Sequence, residues 1–422
     1  MYFRSINERE QKRKRPISDV RVGRGCSSTR NVSSQILYFL YLKKDDDLVE
    51  KKRVLFFIYQ MGGGGAARTL LNIINNIDRS KFIPILVTLQ YDGSYEKYLD
   101  QDVKFIKLKT KRLRSAILPL AKVIREEKAA IVFSTIPNYN TIAILGNLLS
   151  FSGAKNIVRE AAFLGGSPAA DFKLRLYGLL YKLSSRVIAL SHGVKENIVK
   201  RYKVKREKIN VIYNPVDIER IRINMKEGIL PQEHETIFTG SEKVIITAGR
   251  LVQDKDQQTL IKAVADVSRR LDVKLVILGE GELEDELKRL ADRMDVADKV
   301  FFLGFQQNPY VYFAHADVFV LSSKREGFGH VLSEALATGT PVVSTKAYPG
   351  AEEVLNDGEY GLMCEIGNAE QLAEKIYETL TWTVDRREQA IQKGLERVNT
   401  FRAQTIVKQY EDVFMKTLNK TY

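Results

Sequence analysis

The stretch Lys324-Arg325-Glu326-Gly327-Phe328-Gly329-His330-Val331-Leu332-Ser333-Glu334-Ala335-Leu336-Ala337-Thr338-Gly339-Thr340-Pro341-Val342-Val343-Ser344-Thr345 decides how this chain folds. The apolar run Asp317–Leu321 before it reads as a buried strand. Gly327-Phe328-Gly329 then turns the chain into a helix expected from about His330 to Thr338. Gly339 supplies a left-handed cap, Pro341 prevents a restart, and Val342-Val343 is the next short strand. Strand, glycine turn and helix in that order direct free backbone N–H groups and a positive helix end into a crevice. Such a crevice suits a phosphate or a sugar oxygen.

Two carboxylates sharpen this reading. Glu326 lies at the lip of the crevice and Glu334 near the middle of the following helix. A carboxylate accepts from two adjacent hydroxyls, so Glu334 suits a ribose diol and Glu326 a sugar. An ordinary solvated helix residue is the other reading of Glu334.

Glu326, seven residues, then Glu334, with Gly-Phe-Gly after the first and Ala-Leu-Ala-x-Gly-x-Pro-Val-Val after the second, resembles family 4 of the nucleotide-sugar-dependent glycosyltransferases (glycosyl transferases group 1). The resemblance runs from about Lys52 to the C-terminus and is strongest over Lys243–Gly361. It implies an α/β chain of the GT-B kind: two Rossmann-like, doubly wound domains facing each other across a cleft. The resemblance divides the chain into an N-terminal acceptor domain (52–214), a linker (215–242), a nucleotide-sugar domain (243–400) and a C-terminal helix (401–422) that returns to the first domain.

Length and composition agree with two domains. The 422 residues exceed one compact core, and 44% hydrophobic with 28% charged residues is ordinary for a globular protein. The net charge of +14 favours an anionic partner: nucleic acid, an acidic membrane surface or a phosphorylated ligand. Cys26 and Cys364 lie in unrelated contexts, which fits a reducing, cytoplasmic setting without a disulfide framework.

Residues 1–51 read as a leader outside the fold, disordered or mis-started, because the family-like portion opens at Lys52-Arg53. They carry the basic run Lys12-Arg13-Lys14-Arg15-Pro16, which by itself suits a nuclear or nucleic-acid tag. Their apolar segment Ile36–Leu42 is far short of the roughly 20 residues of a membrane span.

Val54–Tyr59 is a continuous apolar run, expected as a buried parallel strand, and Gly62-Gly63-Gly64-Gly65 follows before a helix near Ala66. Glycines admit a ligand close to the backbone, so Gly63 and Gly64 join the donor-binding expectation. Further strands are expected at Ile83–Leu89, Val103–Leu108, Ala130–Ser134, Asn156–Arg159, Val187–Leu190 and Asn210–Tyr213, with helices between. Their loops offer Asn138, Tyr139, Arg159 and Glu160 to the acceptor, although the histidine many family members carry near the last of these is missing. Lys107–Arg114 with Ile117-Leu118 is a basic, apolar mixture that suits anionic lipid or simply a solvated face.

The second domain opens with the strand Val244–Gly249, and Arg250 and Lys255 stand at its carboxyl end. Paired cations neutralise a diphosphate, and the resemblance places both on the donor diphosphate. It likewise assigns Arg250, Lys255, Glu326, Gly327, Phe328, Gly329, His330, Val331 and Glu334 to the donor, with Glu326, Arg250 and Lys255 catalytic. Gly281 and Phe305, at turns after Leu275–Leu278 and Val300–Phe302, are expected near the base. The last helix shows Ile406, Val407, Tyr410, Val413, Phe414 and Leu418 on one stripe.

The expected activity is transfer of a hexose or N-acetylhexosamine from a nucleoside diphosphate sugar, UDP-linked, to a glycan or lipid-linked acceptor. Retention of configuration follows from the resemblance alone. No cofactor or metal is expected: there is no Asp-x-Asp run, and His192, His234 and His315 lie away from the motif. His330 adjoins it, and a contribution through its backbone is expected rather than action as a base. Partners are the nucleotide sugar, the acceptor and an anionic membrane surface, with no nucleic acid. A nucleotide-sugar epimerase of the same shape, or a binding subunit without catalysis, also fits the fold. The first would release nucleotide without a second sugar, and the second would have lost charge in the cleft.

Overall fold

Seven short strands, most of them buried over most of their length, set the first half: β1 (Lys52–Phe57), β2 (Phe82–Thr88), β3 (Lys104–Lys107), β4 (Ile131–Thr135), β5 (Lys155–Glu160), β6 (Arg186–Ala189) and β7 (Ile209–Val211). All pair in parallel, in the order β3-β2-β1-β4-β5-β6-β7. The computed structural model describes residues 50–62 and 64–419, so the leader expectation, apart from residues 50 and 51, lies outside the described residues. Gly63, one of the expected donor contacts, lies outside them too.

Parallel strands need crossovers, and helices supply them. α1 (Gly65–Asn76) follows β1, while α2 (Ile117–Glu126), α3 (Pro137–Ser150), α4 (Pro168–Tyr181) and α5 (His192–Asn197) connect β3 through β7. Two apolar clusters mark the two faces of the sheet. Val54, Phe56 and Phe133 meet α1, whereas Leu55, Phe57 and Val132 meet α2 and α3.

The second sheet contains β8 (Lys243–Ala248), β9 (Val273–Leu278), β10 (Val300–Phe302), β11 (Val318–Leu321), β12 (Val342–Thr345) and β13 (Leu362–Cys364). It is parallel throughout, in the order β10-β9-β8-β11-β12-β13. In both sheets the strand order reverses beside the first strand, between β1 and β4 and between β8 and β11. Crevices open at such reversals, outside the carboxyl ends of the strands. The glycine run, the Arg250–Lys255 loop and the Glu326–Gly329 turn follow β1, β8 and β11 respectively.

The stretch between the sheets is helical rather than an extended connection. α6 (Ile218–Glu227) starts at Asp217, whose carboxylate accepts the N–H of Arg220, and α7 (Gln232–Phe238) follows. Ile218, Ile221, Leu230 and Ile237 are buried in one cluster with Val244 and Phe313. The second sheet is completed by α8 (Gln257–Val267), α9 (Glu284–Arg293), α10 (Pro309–His315), α11 (His330–Ala337), α12 (Gly350–Leu355), α13 (Ala369–Leu380) and α14 (Val384–Asn399).

The last helix, α15 (Ala403–Leu418), lies on the first sheet. Phe414 meets Phe56, Phe82 and Phe133 with ring centroids 5.8–6.4 Å apart, and Tyr410 meets Phe133 at 5.8 Å. Both sheets belong to one compact unit. Among the described residues no helix is long and apolar enough to cross a membrane.

Candidate active site

The loops after β8, β11 and β12 are laced into one rigid floor. Ser322 donates to the carbonyl of Lys255 (3.0 Å), Lys324 N–H to the carbonyl of Asp254 (2.8 Å) and Thr345 to the carbonyl of Ser323 (2.6 Å). Gly350 N–H donates to the Glu326 carbonyl at 2.9 Å. A Cβ on Gly350 would sit 2.4 Å from the Phe328 nitrogen, so the approach of these two loops requires glycine. Gly329, at φ +77, makes the left-handed step that starts α11.

This floor places the two expected chemical groups side by side. Lys255 Nζ lies 2.5 Å from Glu326 Oε1, and Ser323 Oγ donates to the same oxygen at 2.7 Å. Among the described residues Glu326 Oε2 has no partner, which leaves it available to a hydroxyl. Arg250 is exposed on the same loop as Lys255, its carbonyl held by Gln257 at 3.1 Å. Gly279 N–H donates to the Gly304 carbonyl and Leu251 N–H to the Glu280 carbonyl, which sets Gly281 and the half-exposed Phe305 beside the Arg250 loop.

From the first sheet, α1 closes over α11. Arg68 donates to the Glu334 carboxylate, to Tyr310 Oη at 2.5 Å and to Tyr95 Oη at 2.8 and 3.0 Å. Burial opposes the charge of Arg68, but Glu334, Tyr310 and Tyr95 outweigh it and hold the guanidinium well above its ordinary pKa. Thr69 Oγ1 meets His330 Nε2 at 3.2 Å, and a Cβ on Gly65 would come within 3.8 Å of the same ring. The glycine run and α11 are therefore neighbours, with Gly64 as the N-cap residue of α1.

His330 is pushed down to about 3, first by burial and then by Arg68 and Arg159, so its imidazole is neutral near pH 7. Its buried Nδ1 lacks a hydrogen-bond partner among the described residues. Phe328 packs its ring onto Phe401 (5.1 Å), His330 (5.7 Å) and Tyr213 (5.9 Å). Val331 is partly buried against the same cluster.

The expected acceptor residues separate into two groups. Tyr139 stacks on Tyr59 at 5.9 Å and Tyr59 on Tyr91 at 4.7 Å, a row of rings beyond β1, β2 and β4. Asn138 is exposed beside it and accepts from Tyr177 at 2.5 Å. Arg159 and Glu160 depart from the expectation. Arg159 is 1% exposed and donates to Tyr410, Thr135 and Asn214. Glu160 is fully buried and accepts from Tyr181 (2.9 Å), Tyr202 (3.0 Å) and Ala161 N–H (3.2 Å). Neither side chain is open to solvent: both tie the first sheet to its neighbours, since buried polar groups are tolerated only where they are bonded.

Residues 63–220 match the glycosyltransferase family 4 and residues 232–397 match the glycosyl transferases group 1. The chain belongs to this glycosyltransferase family. It is 36% identical over 201 residues to the N-acetylgalactosamine-N,N'-diacetylbacillosaminyl-diphospho-undecaprenol 4-alpha-N-acetylgalactosaminyltransferase of Campylobacter jejuni, covering 48% of this chain and 52% of that relative. The match thus spans about half of that relative's length. It is 28% identical over 349 residues to the capsular polysaccharide biosynthesis glycosyltransferase CapM of Staphylococcus aureus, covering 78% and 89% of the two chains. HepE of Anabaena, solved with UDP-glucose, superposes with a TM-score of 0.73 at 22% identity, covering 86% of this chain and 99% of that one. Two facing doubly wound sheets with such neighbours are the GT-B fold.

Sequence reasoning missed Arg68. The available signal was its place four residues after Gly64: a cation in the first turn of a helix, where cations are disfavoured, needs a carboxylate nearby.

Proposed function

We propose that this protein moves a hexose or N-acetylhexosamine from a nucleoside diphosphate sugar, UDP-linked, to a glycan or lipid-linked acceptor with retained configuration, in the synthesis of cell-surface polysaccharide or glycoconjugate. The observation that carries the reading is the Lys255–Glu326 pair, held on a rigid floor at the strand reversal with Arg250 on the same loop. The names of the relatives support the class of acceptor, and the UDP-glucose complex of HepE supports the donor.

In this reading Arg250 and Lys255 meet the diphosphate, whose charge grows as the bond from its oxygen to the anomeric carbon breaks. Such pre-placed charge lowers the barrier because it is stronger against the transition state than the ground state. The leaving group is already acidic, so no general acid is needed. Glu326 Oε2 takes a sugar hydroxyl, and Glu334 takes the ribose diol when it exchanges Arg68 for those hydroxyls. Gly281 and Phe305 flank the base. Neutral His330 acts as a hydrogen-bonding wall rather than a base. The rings of Tyr59, Tyr91 and Tyr139, with Asn138, offer the acceptor an amphipathic surface. Arg250 and Lys255, rather than a resident metal, balance the diphosphate.

A panel of UDP- and GDP-sugars, read by nucleotide release with and without acceptor glycans, tests the proposal. Acceptor-dependent release from one UDP-sugar is expected. Release that needs no second sugar, or none from any donor, overturns it.

A further inference from the structure

The exposed face of α4 is apolar where a water-facing helix should be polar. Phe172, Leu176 and Leu179 are 63%, 48% and 57% exposed, and their spacing of four and three residues puts them on one stripe, which Leu183, 57% exposed in the turn after the helix, extends. The inner side of the helix is already used: Leu174 and Tyr181 are buried, and Gly178 lies against the Tyr202 carbonyl, where a Cβ would fall at 1.7 Å. The stripe is therefore a second apolar face with no partner among the described residues.

It does not stand alone. α3 packs beside α4, and its C-terminal end carries Leu148 and Leu149, both exposed, and Phe151. Phe151 is 86% exposed at φ +51, a left-handed position that a bulky residue rarely takes. Exposed apolar side chains gathered on two neighbouring helices mark a candidate interaction site.

Charge identifies the occupant. Lys173, Arg175 and Lys182 flank the stripe and are exposed, while the one carboxylate of α4, Asp171, is held by Arg201 and by Gly166 N–H. Lys200 and Lys203 add two more exposed cations from the segment packed on α4. In the Lys107–Arg114 stretch Lys107 is paired with both Asp92 and Glu96, while Lys109, Lys111, Arg112 and Arg114 are exposed and add to the basic surface of the first domain. An apolar stripe framed by cations matches a bilayer with anionic headgroups, where the rings and leucines enter the acyl boundary and the cations remain at phosphate level. α4 also begins at the loop that reaches the second sheet, where Phe163 meets Tyr348 at 5.3 Å.

We propose that α4 and the adjoining end of α3 are the surface by which this protein docks on an anionic membrane. This goes beyond the transfer reaction and stands without it.

Sedimentation of the full chain with phosphatidylglycerol or phosphatidylcholine vesicles at low salt tests it, without any nucleotide sugar. The wild type should pellet with the anionic vesicles and not with the neutral ones. Phe172→Ser, Leu176→Ser, Leu179→Ser and Leu183→Ser combined should weaken partitioning by at least about 100-fold, since each buried side chain contributes strongly. Lys173→Gln, Arg175→Gln and Lys182→Gln combined should weaken it by roughly fivefold per cation. Leu179→Trp, which needs only a wild-type-like fold, should shift its emission to the blue on anionic vesicles. A wild type left in the supernatant, an apolar variant that binds normally, or an unshifted Trp overturns the proposal. So does a wild-type dimer that the apolar variant turns into monomer without lipid, because the stripe would then cover a second copy.

Discussion

Arg68, in the first turn of α1, donates to the carboxylate of Glu334 on α11, so a single charge pair spans the crevice between the two sheets. Its side chains are only 19% and 5% exposed. Removing one partner strands the other charge out of water, which typically costs about 3 kcal/mol. Arg68→Met and Glu334→Gln should each destabilise by about that amount, and the double variant by clearly less than their sum. Urea unfolding of the four proteins measures the coupling, and simple additivity would show that the pair contributes nothing. If Glu334 also takes the ribose, Glu334→Gln should raise the donor KM more than it lowers kcat.

Arg250→Ala or Lys255→Ala should reduce nucleotide release by two to three orders of magnitude with the fold intact. A lost donor to growing charge costs about 2.7–4 kcal/mol in the transition state. Near-normal rates in both variants would detach the diphosphate from this loop. By the same argument EDTA should leave the rate of an otherwise active preparation unchanged, and a loss restored by Mg²⁺ would count against the cationic pair as the sole balance.

Glu160 gives the stability a pH dependence of definite sign. Burial pushes its carboxyl up from 4.5 to about 7, against the hydrogen bonds from Tyr181 and Tyr202. The folded protein therefore holds this proton where the unfolded chain has released it. Stability associated with the protonated form is full below about pH 4.5 and is lost as pH rises to about 7, an effect of about 3 kcal/mol. Glu160→Gln should remove that decline, so the difference between wild type and variant should shift across this window in chemical denaturation. A constant difference from pH 4 to pH 8 would refute the assignment.

How legible all this was in the sequence depended on burial. Strands such as Val54–Phe57 and Ile245–Ile246 are continuous apolar runs because a parallel sheet is covered on both faces, and such runs stand out. β13 is three residues long, too short for any pattern, and went unseen. The helices α6 and α7 were hidden by polar composition, although Ile218, Ile221 and Ile237 anchor them. The glycine turns and charged loop residues after β1, β8 and β11 stood out by type and spacing, whereas Arg159 and Glu160 looked the same written down as residues lining a cleft. Only the partners Tyr410, Asn214, Tyr181 and Tyr202, distant in sequence, reveal that they face inward. Arg68–Glu334 is a pairing across 266 residues that no local pattern encodes.

Gly327 separates closure of the crevice from stability of the fold. A Cβ there would fall 2.7 Å from the carbonyl oxygen of Ala161 and 3.3 Å from Leu190, both belonging to the opposite sheet. Gly327 itself is absent from the left-handed positions, so alanine adds crowding between the sheets rather than local backbone strain. Gly327→Ala should force the two sheets slightly apart and displace the donor from acceptor groups on the first sheet. Misplacement of about 1 Å costs on the order of 100-fold in rate, so kcat/KM should fall by about that factor. Each sheet has apolar clusters of its own and shares another that runs from Val158 and Leu190 to Phe319 and Phe328, so unfolding free energy should drop by about 1–3 kcal/mol. Gly178→Ala is the contrasting case, because its Cβ would clash with Tyr202 inside the first sheet's helical layer, away from the crevice. That variant should lose more stability, and in whatever fraction remains folded the rate should be close to normal. If Gly327→Ala retains full activity, the approach of Ala161 to the Glu326 turn is not the working geometry.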